Sequence, residues 1–135
     1  MLTSRGGLGN QLDRHTDIGI FSAMDGYEVR LLEDAVGFLR GLPLKLRAKA
    51  FRAIELLRDL GPELPMPHAR ALRGADGLRE LRVKLASDIV RLFYFHHKGK
   101  IYIVTSGFIK KTDKTDPREL QRAIRLMKTF KDDTP

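Results

Sequence analysis

The sequence contains no cysteine. That excludes a disulfide framework, a cysteine-based zinc finger and a thiol nucleophile, and it fits a chain working in a reducing cytoplasm. Long hydrophobic runs are missing too. None approaches the roughly 18 residues of a membrane span, so no membrane partner is expected. The N-terminus lacks the continuous apolar stretch of a secretory signal. Acidic residues are scarce in one part of the chain only. Residues 79–131 carry 14 Lys and Arg against 5 Asp and Glu, while the remainder carries 11 against 12. The formal net charge of +8 therefore originates entirely in the C-terminal part. Charge clustered in this way, with a pI near 10.0, is the footprint of a polyanion-binding surface, RNA above all.

With 135 residues, 42% of them hydrophobic, the chain suffices for one domain with a small core. Residues 1–25 are rich in Gly, Asn, Thr, Ser and Asp and show no sustained period. They read as a flexible N-terminal extension, with a partner-binding arm as the functional alternative. Met24 stands where the pattern begins, so an upstream start is also open. The domain proper is expected over residues 26–131. Residues 27–32 alternate well enough for a first strand, and residues 33–40 fit a short helix ended by Gly41 and Pro43. Residues 44–60 form the strongest helical segment. Leu46, Ala50, Ile54, Leu57 and Leu60 make one apolar stripe, Lys45, Lys49, Arg52, Glu55 and Asp59 take the other faces, and Gly61-Pro62 stops the helix. The two helices read as a hairpin. The link that follows, residues 61–77, holds three prolines and carries His68, Arg70 and Arg73.

The richest stretch is residues 77–115. In residues 78–85, Leu81, Val83 and Leu85 point one way, and Glu80, Arg82 and Lys84 the other. Residues 89–97 are almost wholly apolar or aromatic, as in a central strand covered on both faces. Arg91 is the lone charge inside that run. Burying it unpaired would be expensive, so it either pairs with Glu80 or Asp88 or faces a ligand cleft. His96 and His97 are adjacent and so point to opposite faces, with no cysteine or acid beside them, and no metal is expected there. Residues 101–109 form the last strand and run into Lys110, Lys111 and Lys114. Asp116, Pro117 and Glu119 then signal a helix start, with Leu120, Ala123, Ile124 and Met127 on the buried face and Arg118, Arg122 and Arg125 on another. The expected class is α+β: a small, mainly antiparallel sheet packed against an N-terminal helix hairpin, with a C-terminal helix. Phe93, Tyr94 and Phe95 read as core, which leaves few aromatics for base stacking and argues against a single-strand reader of the RRM kind.

The runs Leu81-Arg82-Val83-Lys84-Leu85, Ile89-Val90-Arg91-Leu92-Phe93-Tyr94 and Gly107-Phe108-Ile109-Lys110-Lys111-Thr112 resemble the RelE/HigB toxin superfamily. The closer likeness is to its phage-derived HigB-like branch, and it covers residues 27–130. The resemblance implies a RelE-like fold and the toxin of a type II toxin–antitoxin pair. Many such toxins cut mRNA on the ribosome without metal or cofactor, and a cognate helix-turn-helix, HigA-like antitoxin neutralises them. Arg82 and Lys84 match the two basic positions of the second strand, Arg91 the arginine of the third, and Lys110 and Lys111 the basic pair after the last. The tyrosine that better-known members carry near the chain's end has no counterpart after Tyr102.

Metal-free RNA cleavage needs a base for the 2′ proton, a cation for the phosphorane charge and an acid for the leaving 5′ oxygen. Arg82, Arg91 and Lys110 suit the second task. Lys84 suits the first or third if cations on its own face favour its neutral form, and His68 is the other candidate base. His68, Arg73, Lys114, Arg118, Arg122 and Arg125 are expected on RNA phosphates. The alternative is a non-catalytic module of the same fold, a ParE-like gyrase poison or an RNA binder.

Overall fold

The computed structural model describes residues 9–13, 18–22, 26–65, 68–110 and 115–134. Chain order is β1 (Gly9–Asp13), β2 (Ile18–Ser22), β3 (Glu28–Leu31), α1 (Glu33–Arg40), α2 (Leu44–Leu60), β4 (Ala69–Ala71), β5 (Arg79–Leu85), β6 (Asp88–Lys98), β7 (Ile101–Lys110) and α3 (Pro117–Asp133). The strands make one seven-stranded sheet in the order β1-β2-β3-β7-β6-β5-β4. Only β3 and β7 run parallel; the other neighbours are antiparallel. The α+β architecture is thus the expected one, with a helix hairpin, a meander of β5, β6 and β7, and a closing helix.

The sheet is wider than the sequence pattern suggests. Residues 1–25 were expected to form an extension outside the domain, yet two five-residue strands lie there, and β2 pairs with β3. Strands this short cannot establish a visible alternation. Pairing with β3 docks the segment, together with one buried side chain. Phe21 is buried and meets Phe51 of α2 edge-on, ring centroids 5.7 Å apart. β4 is a three-residue strand within the proline-rich link, paired with residues 79–81 of β5.

The two sheet faces carry two apolar clusters. Ala35, Val36 and Leu39 of α1 and Leu46, Ala50, Ile54 and Leu57 of α2 pack on Leu81, Val83, Val90, Leu92, Tyr94 and Val104. Ala123 and Met127 of α3 pack on Phe93, Phe95, Ile103 and Phe108 of the opposite face. β6 lies between them and is buried from Ile89 to Phe95, which is why its sequence is continuously apolar. Leu60 is 38% exposed, so the predicted stripe of α2 ends at Leu57. A bulge between Phe93 and Tyr94 leaves Thr105 without a partner in the ladder, and its hydroxyl donates to the Phe93 carbonyl at 3.4 Å. The hairpin link is held by Arg47, which donates to the Arg40 and Leu42 carbonyls at 2.9 and 3.1 Å. Among the described residues no helix is long and apolar enough to cross a membrane.

Gly61 ends α2 at φ +55° and ψ −126°, where a side chain is strained, and a Cβ there would stand 2.3 Å from the Tyr27 ring. Gly99 has the same φ but open space around it. Gly61→Ala should therefore cost more than the roughly 1–2 kcal/mol of left-handed strain expected for Gly99→Ala. Urea unfolding of both variants measures the difference, and equal losses would show that the Tyr27 contact is immaterial.

Candidate nucleic-acid interface

The antiparallel register fixes which side chains share a face. Lys84 stands opposite Ile89, which stands opposite Lys110; Arg82 stands opposite Arg91, which stands opposite Phe108. Directly opposed residues project to the same side. Glu80, Arg82, Lys84, Arg91 and Lys110 therefore all belong to the face that α3 covers in part, as the alternation in β5 predicts.

Arg91 is the first correction. It was expected either to pair with Glu80 or Asp88 or to reach a ligand, and to hold phosphate. Its side chain is 1% exposed, and its Nη1 donates to Glu80 Oε1 at 2.5 Å. It is therefore a buried partner and not a group presented to RNA. Glu80 is itself fully buried and draws in two further groups. Arg70 of β4 lies 3.3 Å from Oε1, and the Thr115 hydroxyl donates to Oε2 at 3.0 Å. A carboxylate with three donors from separate segments is the arrangement that makes a buried charge tolerable.

Arg82 and Lys84 meet residues the sequence did not group with them. They line a cleft of about 450 Å³ together with Val83, His68 and four residues of α2: Lys49, Arg52, Ala53 and Leu56. Lys49 donates to the Lys84 carbonyl at 3.0 Å and so ties the helix to the strand. The four α2 positions recur at three- and four-residue spacing, which puts them on one side of the helix. The sequence places Lys49 and Arg52 on the polar side of α2 but says nothing of what that side faces. His68, expected on RNA, is exposed at the cleft, and its carbonyl accepts from the Arg82 N–H at 2.9 Å.

The other predicted cations are dispersed. Lys110 is half-buried, its Nζ 5.7 Å from the centre of the Phe108 ring. Asp116 caps α3 by accepting the Arg118 N–H at 2.9 Å, and that bond, with help from the nearby charges of Arg118 and Lys110, holds its carboxyl below the ordinary aspartate value. Arg118 projects into solvent, 92% exposed, at the start of α3. Arg122 is committed to Asp34 of α1 at 2.5 Å, so it joins two helices and is not free for phosphate as predicted. Arg73 is exposed in the turn before β5 and Arg125 on α3, neither of them lining the cleft. Lys111 and Lys114 lie outside the described residues.

Tyr94 and Tyr102 are core residues. Burial raises Tyr94 and Tyr102 above the usual phenol value, with Arg79 partly offsetting the effect at Tyr94, and both belong to the cluster under α1 and α2. His96 and His97 diverge as expected. His96 Nε2 lies 2.8 Å from the Gly99 carbonyl, whereas His97 packs edge-on against Phe130 of α3, and its cost of burial, with Lys98 and Arg30 nearby, lowers its pKa.

A family model described as phage derived protein Gp49-like (DUF891) matches residues 37–128, more than half of the chain. No curated protein matches.

The buried network makes a prediction separate from function. Glu80→Ala strands the Arg91 charge and should destabilise by about 3–5 kcal/mol, the range for breaking a buried pair. Arg91→Ala should cost less, because Arg70 and Thr115 still serve Glu80. Denaturant unfolding gives the order, and a larger loss for Arg91→Ala would show that Arg91 does not depend on Glu80 for its counter-charge.

Proposed function

The chain belongs to the phage-derived Gp49-like family, and from that premise we propose that it is the toxin of a type II toxin–antitoxin pair, acting as a metal-independent, ribosome-dependent mRNA endoribonuclease. The observation that carries this reading is the cleft between α2 and β5. Lys49, Arg52, Arg82, Lys84 and His68 all line it, and among the described residues no acidic side chain does. Basic side chains gathered around one cleft attract an anion, and the phosphate backbone of an mRNA is such a polyanion.

The chemistry follows from what each side chain can do. Arg82 offers a planar fork to two phosphate oxygens and holds the charge of the pentacoordinate state. Lys84, exposed beside it, adds a point charge to the same phosphate. His68 carries the proton: its imidazole takes the 2′ hydrogen so that the 2′ oxygen attacks phosphorus. The 2′,3′-cyclic phosphate forms as the P–O5′ bond breaks, and the 5′ oxygen takes a proton from an acid or from water. Lys110 and Arg118 extend the positive surface along the message without reading its bases. Arg91 acts indirectly, by fixing Glu80 and hence the strand that carries Arg82 and Lys84. A helix-turn-helix antitoxin encoded beside this chain is the proposed inhibitor, and the cytoplasm the site of action.

The test is cleavage of a reporter mRNA in a translating extract, read by primer extension. Wild type should create new 5′ ends, and Arg82→Ala should slow cleavage by about 10²–10³-fold, the usual cost of removing one donor to transition-state charge. His68→Ala should fall comparably, and that variant should melt like wild type because His68 is exposed. Growth arrest with intact messages would sink the nuclease reading in favour of a non-catalytic poison. Full cleavage by His68→Ala would remove His68 from the mechanism.

A further inference from the structure

We infer that the cleft between α2 and β5 is a nucleotide subsite, seating one RNA base on its apolar floor and the attached phosphate on its cationic rim. The inference rests on the RNA-cleaving reading for its substrate class, but its geometry stands by itself. At about 450 Å³ the cleft falls within the roughly 300–1,000 Å³ of small-molecule sites. Its floor is apolar: Ala53 and Val83 are core residues, 8% and 5% exposed, and Leu56 packs against the same core. Its lining is cationic at the sheet edge, with Lys49 and Arg52 of the helix and Arg82 and Lys84 of the strand all bordering it. A flat apolar body joined to an anion is what such a site accepts, and the exposed Arg52 guanidinium plane can stack on a base as well as bind phosphate.

A protein strand added to β5 would suit the cleft less well. β-Strand addition needs free backbone groups along the edge. Here the Arg82 N–H is already bonded to the His68 carbonyl, and the Lys84 carbonyl to Lys49. Among the described residues no amide or carboxylate side chain lines the cleft to read base edges either. The subsite should thus be tolerant of base identity, because every base has a face to stack while only directed hydrogen bonds discriminate.

The test is an amide-resolved NMR titration of the full chain with the four ribonucleoside 3′-monophosphates, with uridine and inorganic phosphate as half-ligands and poly-glutamate as a protein-like polyanion. All four nucleotides should shift the Ala53, Leu56 and Val83 signals, with affinities within about threefold of one another and at least about tenfold above either half-ligand, as base stacking allows. Arg52→Ala and Lys49→Ala, both exposed on α2, should each weaken nucleotide binding by about tenfold, the value of one charge-assisted hydrogen bond. Phosphate binding as tightly as the nucleotides would reduce the cleft to a bare cation cluster and overturn the proposal. So would shifts confined to Lys110 and Arg118, or poly-glutamate filling the cleft where nucleotides do not. Nucleotides seated in the cleft while mRNA stays uncut would support the subsite and sink the nuclease. Cleaved mRNA with no shifts in the cleft would sink the subsite alone.

Discussion

A charged side chain inside a central strand is tolerable only beside its counter-charge, and the Glu80–Arg91 pair sets the terms for the rest of the sheet. Removing two such ions from water costs several kcal/mol per ion, so the pair is weak evidence for net stability. Its stronger effect is on register. Slipping β5 by one residue against β6 would turn Glu80 to the face of α1 and α2 and leave Arg91 buried without it. Because Arg70 and Thr115 also meet Glu80, the same carboxylate fixes β4 and the approach to α3. Four segments are thereby indexed to one buried atom group.

That constraint decides what the basic surface can be. With β5 in this register, Arg82 and Lys84 stand beyond the reach of β4, where the sheet edge meets α2. The cations assembled there come from a helix, a link and a strand that are distant in sequence. Others are spent on the fold itself. Arg122 joins α3 to α1 through Asp34, Arg47 holds the helix hairpin, and Arg91 answers Glu80. A positive composition is thus partitioned between structure and ligand binding, and only exposure and partners separate the two uses.

Much of the fold was legible in the chain because local rules and tertiary packing agree there. The α2 bounds follow from the 3.6-residue stripe and Gly61-Pro62. The start of α3 follows from Asp116 and Pro117, and the meander from alternation and turns. The β1–β2 edge was not legible, since strands of five residues next to glycine and asparagine carry no period and are ordered by pairing with β3 and by the burial of Phe21. The candidate site was half legible. Arg82, Lys84 and His68 can be singled out by residue type and position, but nothing in the sequence brings Lys49 and Arg52 to them, because a helix shows which residues share a side and not what that side faces.

By itself, then, the sequence determined the element order, the α+β class, the location of the excess charge and the requirement that Arg91 have a partner or a ligand. Those depend on periodicity, caps and the cost of burying charge, all of which act over a few residues. Only the tertiary structure decided that Arg91's partner is Glu80, that Arg122 belongs to Asp34, and that the polar side of α2 closes a basic cleft with β5. Each is a contact between segments far apart in the chain, fixed by strand register and helix packing that no local pattern encodes.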